Sequence, residues 1–155
     1  VKAVRKPGAV FQVNGKLRFC VKKHAGFKYL LVRLPSGNFL CYFEPRVSED
    51  GKLSYMGVNG VTRQWQRIST YGGKIVENAD QSLSRDVMAH NMPRIEAAGF
   101  NLILTVHDET VTETPIGEPY TAKNLSKLLR TPPPWADGFP LAASGFVADR
   151  YQKDP

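Results

Sequence analysis

Two spacings of apolar residues divide the chain. Over residues 1–60 the apolar and aromatic side chains come in short runs cut by turn residues, which is the pattern of strands. Phe27-Lys28-Tyr29-Leu30-Leu31-Val32-Arg33-Leu34 is β-branched and aromatic, Pro35-Ser36-Gly37-Asn38 is turn chemistry, and Phe39-Leu40-Cys41-Tyr42-Phe43 returns as a second strand. Pro45 is expected to end that strand, and Glu49-Asp50-Gly51 to turn the chain into a third, Lys52-Leu53-Ser54-Tyr55-Met56. Between residues 74 and 98 the period lengthens to that of a helix. Val76, Ala79, Leu83, Val87, Met88, Met92 and Ile95 form one apolar stripe. Gly99 is placed to close the helix at C′, and Pro93 predicts a kink or a break within it. Lys74, Asn78, Gln81 and Arg85 line the opposite, hydrogen-bonding face.

Residues 100–106 are nearly all apolar and read as a strand buried on both faces. The run stops at His107-Asp108-Glu109, and residues 110–114 alternate as the returning arm of a hairpin, ended by Pro115 and Gly117. Thr121 is placed to N-cap a short helix over residues 124–129, stopped by Pro132-Pro133-Pro134. Trp135, Phe139, Phe146 and Tyr151 supply aromatics with which the tail can dock, and its last residues are expected to fray. The fold class is therefore α+β: a β-rich segment over residues 1–73, then residues 74–155 with a long helix, an antiparallel hairpin and a tail.

Composition narrows the function classes. The chain has 155 residues, 42% of them hydrophobic, enough to bury a core and not the composition of a disordered segment. No apolar run approaches the ~20 residues of a membrane helix, so no membrane partner is expected. The 21 Lys and Arg against 14 Asp and Glu give +7, which favours polyanionic partners, nucleic acid first and an anionic membrane surface only second. Cys20 and Cys41 lack metal-ligand spacing and read as two free thiols.

Three groups of residues carry candidate chemistry. At a hairpin tip Asp108 and Glu109 can project together and offer oxygen ligands to a hard divalent cation; the alternative is an exposed acidic turn with no ligand. Gln81, Arg85 and their neighbours can lie against a nucleic-acid groove, or form an ordinary solvated helix face. Arg63, Arg67 and Tyr71, each four apart, would share one face of a helix and suit phosphate contact and stacking, or mark a surface helix ended by Gly72-Gly73.

The order of these pieces resembles the C-terminal part of family A DNA polymerases, the group of bacterial DNA polymerase I and its phage relatives. Thr105-Val106-His107-Asp108-Glu109 resembles the family's third polymerase motif, an apolar strand followed by His-Asp-Glu. Asn78-Ala79-Asp80-Gln81 through Arg85-Asp86-Val87-Met88 resembles its helix with a glutamine five residues before an aspartate. Leu34-Pro35-Ser36-Gly37 with Pro45-Arg46-Val47 is similar to the segment leaving the fingers, although the family's arginine pair is here Asn38-Phe39. Trp135-Ala136-Asp137-Gly138-Phe139-Pro140-Leu141, with Arg150-Tyr151, is similar to phage members. The likeness covers roughly residues 30–151.

The resemblance implies a palm-type fold, with residues 1–73 from the end of the fingers or base of the palm and residues 74–155 from the palm. It implies a template-directed DNA polymerase using two Mg²⁺ ions, with primer-template DNA and deoxynucleoside triphosphates as partners, in the cytoplasm of a bacterial host. Asp108 would be a catalytic metal ligand and Glu109 a supporting one. His107 would touch the primer terminus, Gln81 would enter the minor groove, and Arg85, Asn78, Lys74 and Arg67 would contact the duplex. The family's first motif, an aspartate followed by Tyr-Ser, is absent. Its second is only imitated by Arg63, Arg67 and Tyr71-Gly72, too close to Gln81 and with arginine for lysine. The expectation is a fragment, inactive alone, whose partner is the upstream part of the same polymerase. A non-catalytic nucleic-acid-binding module with a vestigial metal turn is the alternative, and a metal-dependent phosphohydrolase is disfavoured because no further ligands surround the turn.

Overall fold

A computed structural model describes residues 1–152; the frayed end expected of the tail lies outside the described residues. The fold is α+β, with a six-stranded antiparallel sheet, a long helix and a separate two-stranded hairpin. Packing divides the chain into two compact units, Val1–Gln81 and Ser82–Pro155. The long helix runs from the first into the second.

In the first unit a short helix, α1 (Lys2–Arg5), precedes β1 (Phe11–Val13), β2 (Leu17–His24), β3 (Phe27–Arg33), β4 (Phe39–Val47), β5 (Leu53–Val58) and β6 (Trp65–Thr70). These strands pair in sequence order, each antiparallel to the next. Alternation sets the core: Val21, Leu30, Val32, Tyr42 and Leu53 cluster on one face with Ala3 of α1 and Ile75 of the long helix. The β3–β4 turn forms at Pro35-Ser36-Gly37-Asn38 as read from the sequence, with Leu34 N–H bonding Asn38 O at 2.8 Å and Gly37 at φ +95°. Leu31 pairs with Cys20 on one side and with Cys41 on the other. The thiols therefore lie two strand spacings apart, about 10 Å, and both cysteines are free.

Two expectations for this unit are corrected. Pro45 does not end β4. The register shifts between Phe43 and Arg46, with Glu44 at φ +46°, and a bulge is where a strand tolerates a residue without an N–H. Nor do Arg63, Arg67 and Tyr71 share a helix, because residues 65–70 form β6, paired with β5 from Leu53↔Thr70 to Val58↔Trp65. Trp65, Ile68 and Thr70 suit a pleated, half-buried edge better than a helix.

The long helix, α2 (Gly72–Ala97), continues through Pro93 without a break. Its buried positions are Ile75, Ala79, Val87, Asn91 and Ile95, with Leu83 half-buried, so the row recurs every four residues. Val76, assigned to the stripe from sequence, is 60% exposed. The helix closes as a Schellman motif: Phe100 N–H bonds Ile95 O at 3.2 Å, Gly99 N–H bonds Glu96 O at 2.9 Å, and Gly99 takes φ +87°. Ile95 and Phe100 are both buried there.

In the second unit β7 (Asn101–Val106) pairs with β8 (Glu109–Glu113). A bulge at Ile103 sets Leu102 and Leu104 against the consecutive residues Thr112 and Val111. The expectation that β7 is buried on both faces is overturned: Ile103 is 56% and Leu104 48% exposed. A face of a hairpin is covered only where another element packs over it, and Ile103 and Leu104 are left largely open. Thr121 caps α3 (Ala122–Leu129), its Oγ1 accepting from Asn124 N–H at 3.2 Å. A single 3₁₀ turn, Pro134–Ala136, follows. Of the tail aromatics, Trp135 and Phe139 are half-buried, while Phe146 and Tyr151 stay exposed.

Candidate functional site

The hairpin tip is built by backbone geometry. Val106 and Glu109 are the last paired residues, so the loop is the two residues His107-Asp108, with His107 at φ +55°. Two-residue loops need a positive φ at the first central position if the strands are to stay together. Asp108 therefore sits at the apex, exposed, while Glu109 is the first residue of β8 and not part of the turn. Glu109 Oε2 accepts from Tyr151 Oη at 3.3 Å. Partial desolvation and, next, the Glu109 charge push the Tyr151 phenol above its ordinary value. Both carboxylates are exposed, Glu109 engaged by Tyr151 and Asp108 at the apex of the turn. Among the described residues no group of three or more His, Cys, Asp or Glu is gathered to hold a metal ion.

The polar positions of α2 separate into two kinds. Gln81 and Arg85 are exposed. Lys74 is exposed as well, with its Nζ 2.8 Å from Glu77 Oε1. The bond to Glu77 and the Glu77 charge outweigh desolvation and hold the Lys74 ammonium above its usual value. Asn78 is occupied differently: its Nδ2 donates to Tyr42 Oη at 3.0 Å, tying the helix to β4 within the first unit. Burial pushes the Tyr42 phenol up, and the bond from Asn78 only partly offsets this. Arg67 projects from β6, its guanidinium donating to Glu44 O at 3.1 Å and Ser54 Oγ at 3.3 Å.

The structure therefore sets His107 and Asp108 in the hairpin loop with Glu109 next to it on β8, leaves Gln81 and Arg85 exposed on the helix, and uses Asn78 and Arg67 to join elements of the first unit. Sequence reasoning missed Phe27, Phe39 and Trp65, which stand on the outer side of the sheet at 49%, 55% and 58% exposure. Their odd-numbered alternation with the buried Leu30 and Val32 is the signal that would have found Phe27. Among the described residues no helix is long and apolar enough to cross a membrane.

Comparison with known proteins gives one clear likeness. No family model matches the chain, and no solved structure does. A protein of Bacillus phage SP02 named DNA polymerase is 42% identical over 130 residues, covering 81% of this chain and 20% of that protein. The chain thus spans about a fifth of the length of the curated relative it matches, and over that fifth it is similar to part of a phage DNA polymerase.

Proposed function

We propose that the chain is part of a template-directed DNA polymerase of the family A type, contributing the hairpin that carries one catalytic carboxylate. The observation that carries this reading is the 42% identity over 130 residues to a phage protein named DNA polymerase. In this reading residues 1–73 come from the end of the fingers or base of the palm, and residues 74–155 from the palm of a protein acting in the host cytoplasm.

Asp108, exposed at the apex of a fixed two-residue turn, is the proposed Mg²⁺ ligand, with Glu109 beside it in a supporting role. The donor set suits that ion in part: magnesium is commonly held by one or two carboxylates, with water and substrate phosphate completing its shell. When bound, two such ions would neutralise charge developing on the transferred phosphoryl group. The chain's own side chains have separate tasks. His107 is placed by its positive φ at the tip and would contact the primer terminus. Gln81 would reach base edges in the minor groove, which present acceptors to an amide donor. Arg85 and Lys74 would contact phosphate. Asn78 and Arg67 act on the duplex only indirectly, by holding α2 and β6 to the sheet.

The test is a chimera in which the matching stretch of the phage SP02 polymerase is replaced by this chain. Primer extension is expected, and Asp108→Asn should lower it by about 1,000-fold, roughly 4 kcal/mol, with primer-template binding retained. Unchanged extension by the Asp108→Asn chimera would refute the assignment. Robust Mg²⁺-dependent extension by residues 1–155 alone would refute the partial-site reading. The alternative, a nucleic-acid-binding module with a vestigial metal turn, predicts DNA binding with no dependence of any activity on Asp108.

A further inference from the structure

The outer face of the six-stranded sheet has a composition that the hairpin chemistry does not use. Alternate residues of a strand share a face, so the positions between Leu30, Val32, Tyr42 and Leu53 point away from the core. Register then assembles a continuous row across five strands: Lys22 pairs with Tyr29, Tyr29 with Phe43, Phe43 with Met56, and Met56 with Arg67. The row reads basic, aromatic, aromatic, thioether, basic. Around Phe43 the rings touch one another, with centroids 5.2 Å to Phe27, 5.3 Å to Tyr29 and 5.9 Å to Trp65. At the far end of the same face Arg18 pairs with Arg33 and Arg33 with Phe39. Phe27, Phe39 and Trp65 are each about half exposed or more; Phe27 and Trp65 meet through Phe43 in one exposed aromatic patch, with Phe39 further along the same face, and such a patch marks an interaction site rather than ordinary scatter.

Charge decides what kind of partner fits. Every ionisable side chain at a paired position of this face other than the thiols and the tyrosine is basic: Arg18, Lys22, His24, Arg33, Arg46 and Arg67. Glu44, in the bulge beside it, accepts from the Lys28 backbone N–H at 2.7 Å. The first unit as a whole has 14 Lys and Arg against 5 Asp and Glu, or +9, whereas the second has 7 against 9, or −2. All of the chain's basic surplus therefore lies in the unit that carries the aromatic face. An apolar protein partner does not call for that surplus. Stacking rings in a basic groove are the recurring means of holding unpaired nucleic-acid strands.

We propose that this outer face binds single-stranded DNA, with Phe27, Phe39 and Trp65 as base-stacking platforms and Arg18, Lys22 and Arg33 as phosphate contacts. Only the choice of DNA over RNA rests on the polymerase reading; the strand-binding surface rests on the register and charge of the sheet. The full chain is titrated against fluorescein-labelled dT20, rU20 and a 20-base-pair duplex, read by anisotropy at 50 and 200 mM salt. The expected result is tighter binding of dT20 than of either competitor. Phe39→Ala and Trp65→Ala are expected to weaken it by about 10-fold each, and Arg18→Gln to lower the salt slope by about 0.7. Far-UV circular dichroism checks that these surface variants fold, and Phe39→Tyr and Trp65→Phe should restore binding. Cys41, exposed in the middle of the face, gives a second readout: in a Cys20→Ser background dT20 should slow its labelling by maleimide. Equal affinity for duplex, binding indifferent to both ring deletions, or no binding at 50 mM salt each overturns the proposal, and preference for rU20 overturns the choice of DNA. A chimera without extension but with ring-dependent dT20 binding would sink the polymerase reading and leave this surface standing.

Discussion

Asn91 is a polar side chain whose removal should damage the second unit. It is fully buried in α2, and its Nδ2 donates to Leu129 O at 3.1 Å and to Thr131 O at 3.0 Å. Those carbonyls lie at and just beyond the C-terminal end of α3, where a helix has no internal donors left. One amide thus joins two helices and fills a vacancy in the backbone accounting of one of them. Asn91→Ala removes two hydrogen bonds worth about 0.5–1.5 kcal/mol each and strips two part-buried carbonyls of a donor, for a total of about 2–4 kcal/mol. For a unit of this size that corresponds to a fall in Tm on the order of 10–20 °C. Asn91→Asp should be worse at pH 7, because it turns a carboxylate toward two carbonyl oxygens. Burial would raise its pKa above the unfolded value of about 3.9, so the folded state binds the extra proton. Stability of that variant is then fully present below about pH 4 and is lost as pH rises through the folded value. Urea denaturation in a Trp65→Phe background follows Trp135 alone, which reports the second unit. A loss under about 0.5 kcal/mol for Asn91→Ala, or an Asn91→Leu variant more stable than the parent, would refute the reasoning.

Other consequences are simpler. Gly99→Ala should cost about 1–2 kcal/mol for the positive φ alone, and more because a Cβ there would meet Tyr120 Oη at 2.7 Å; a melting temperature equal to the parent's would contradict the Schellman geometry. Tyr42→Phe should cost about 1 kcal/mol by removing the acceptor of Asn78. It should also flatten the alkaline limb of the stability profile: with a folded pKa raised by burial, the Tyr42 contribution is fully present below about pH 10 and is lost above it. Glu77→Gln, which breaks an exposed pair with Lys74, should leave the urea midpoint unchanged at any salt concentration, because solvent screens such pairs. Mild oxidation should yield no intramolecular Cys20–Cys41 disulfide by intact mass, since the two flank Leu31 on separate strands.

Much of the fold is legible from local chemistry, because the relevant signals act within a few residues. The Pro35–Asn38 turn, the helical period after residue 74, Gly99 as C′ and Thr121 as N-cap each depend on neighbours in sequence. The errors arise where one spacing serves two structures. Arg63, Arg67 and Tyr71 are four apart, which is one helical turn and also an even number, so the same spacing satisfies a strand's alternation. What separates the two is Trp65, Ile68 and Thr70, whose aromatic and β-branched shapes suit a pleated sheet. Val76 and Ile75 are ambiguous for a similar reason: a stripe drawn at steps of three and four admits both, and only packing on the sheet selects Ile75. Asn91 was invisible because its partners lie 38 and 40 residues away.

The candidate site divides along the same line. His107-Asp108-Glu109 could be placed at a tip because a strand that ends in three ionisable residues must turn to expose them. What could not be read is which carboxylate is committed elsewhere, since Tyr151 lies 42 residues from Glu109. The same limit hid the fates of Asn78, held by a tyrosine 36 residues upstream, and of Arg67, held by a carbonyl 23 residues upstream. Polar residues on a sequence-derived face are therefore candidates for two opposite roles, ligand contact and internal ties, and only long-range pairing separates them. Applied to the sheet, that criterion reverses the ranking of sites by motif. Phe27, Phe39 and Trp65 belong to no motif, yet register sets them on an outer face whose charged side chains are basic. The hairpin carboxylates have a motif but only part of a donor set, whereas the aromatic face is complete within one compact unit. Strand binding by that face should therefore be measurable in the chain by itself, independently of any activity that depends on Asp108.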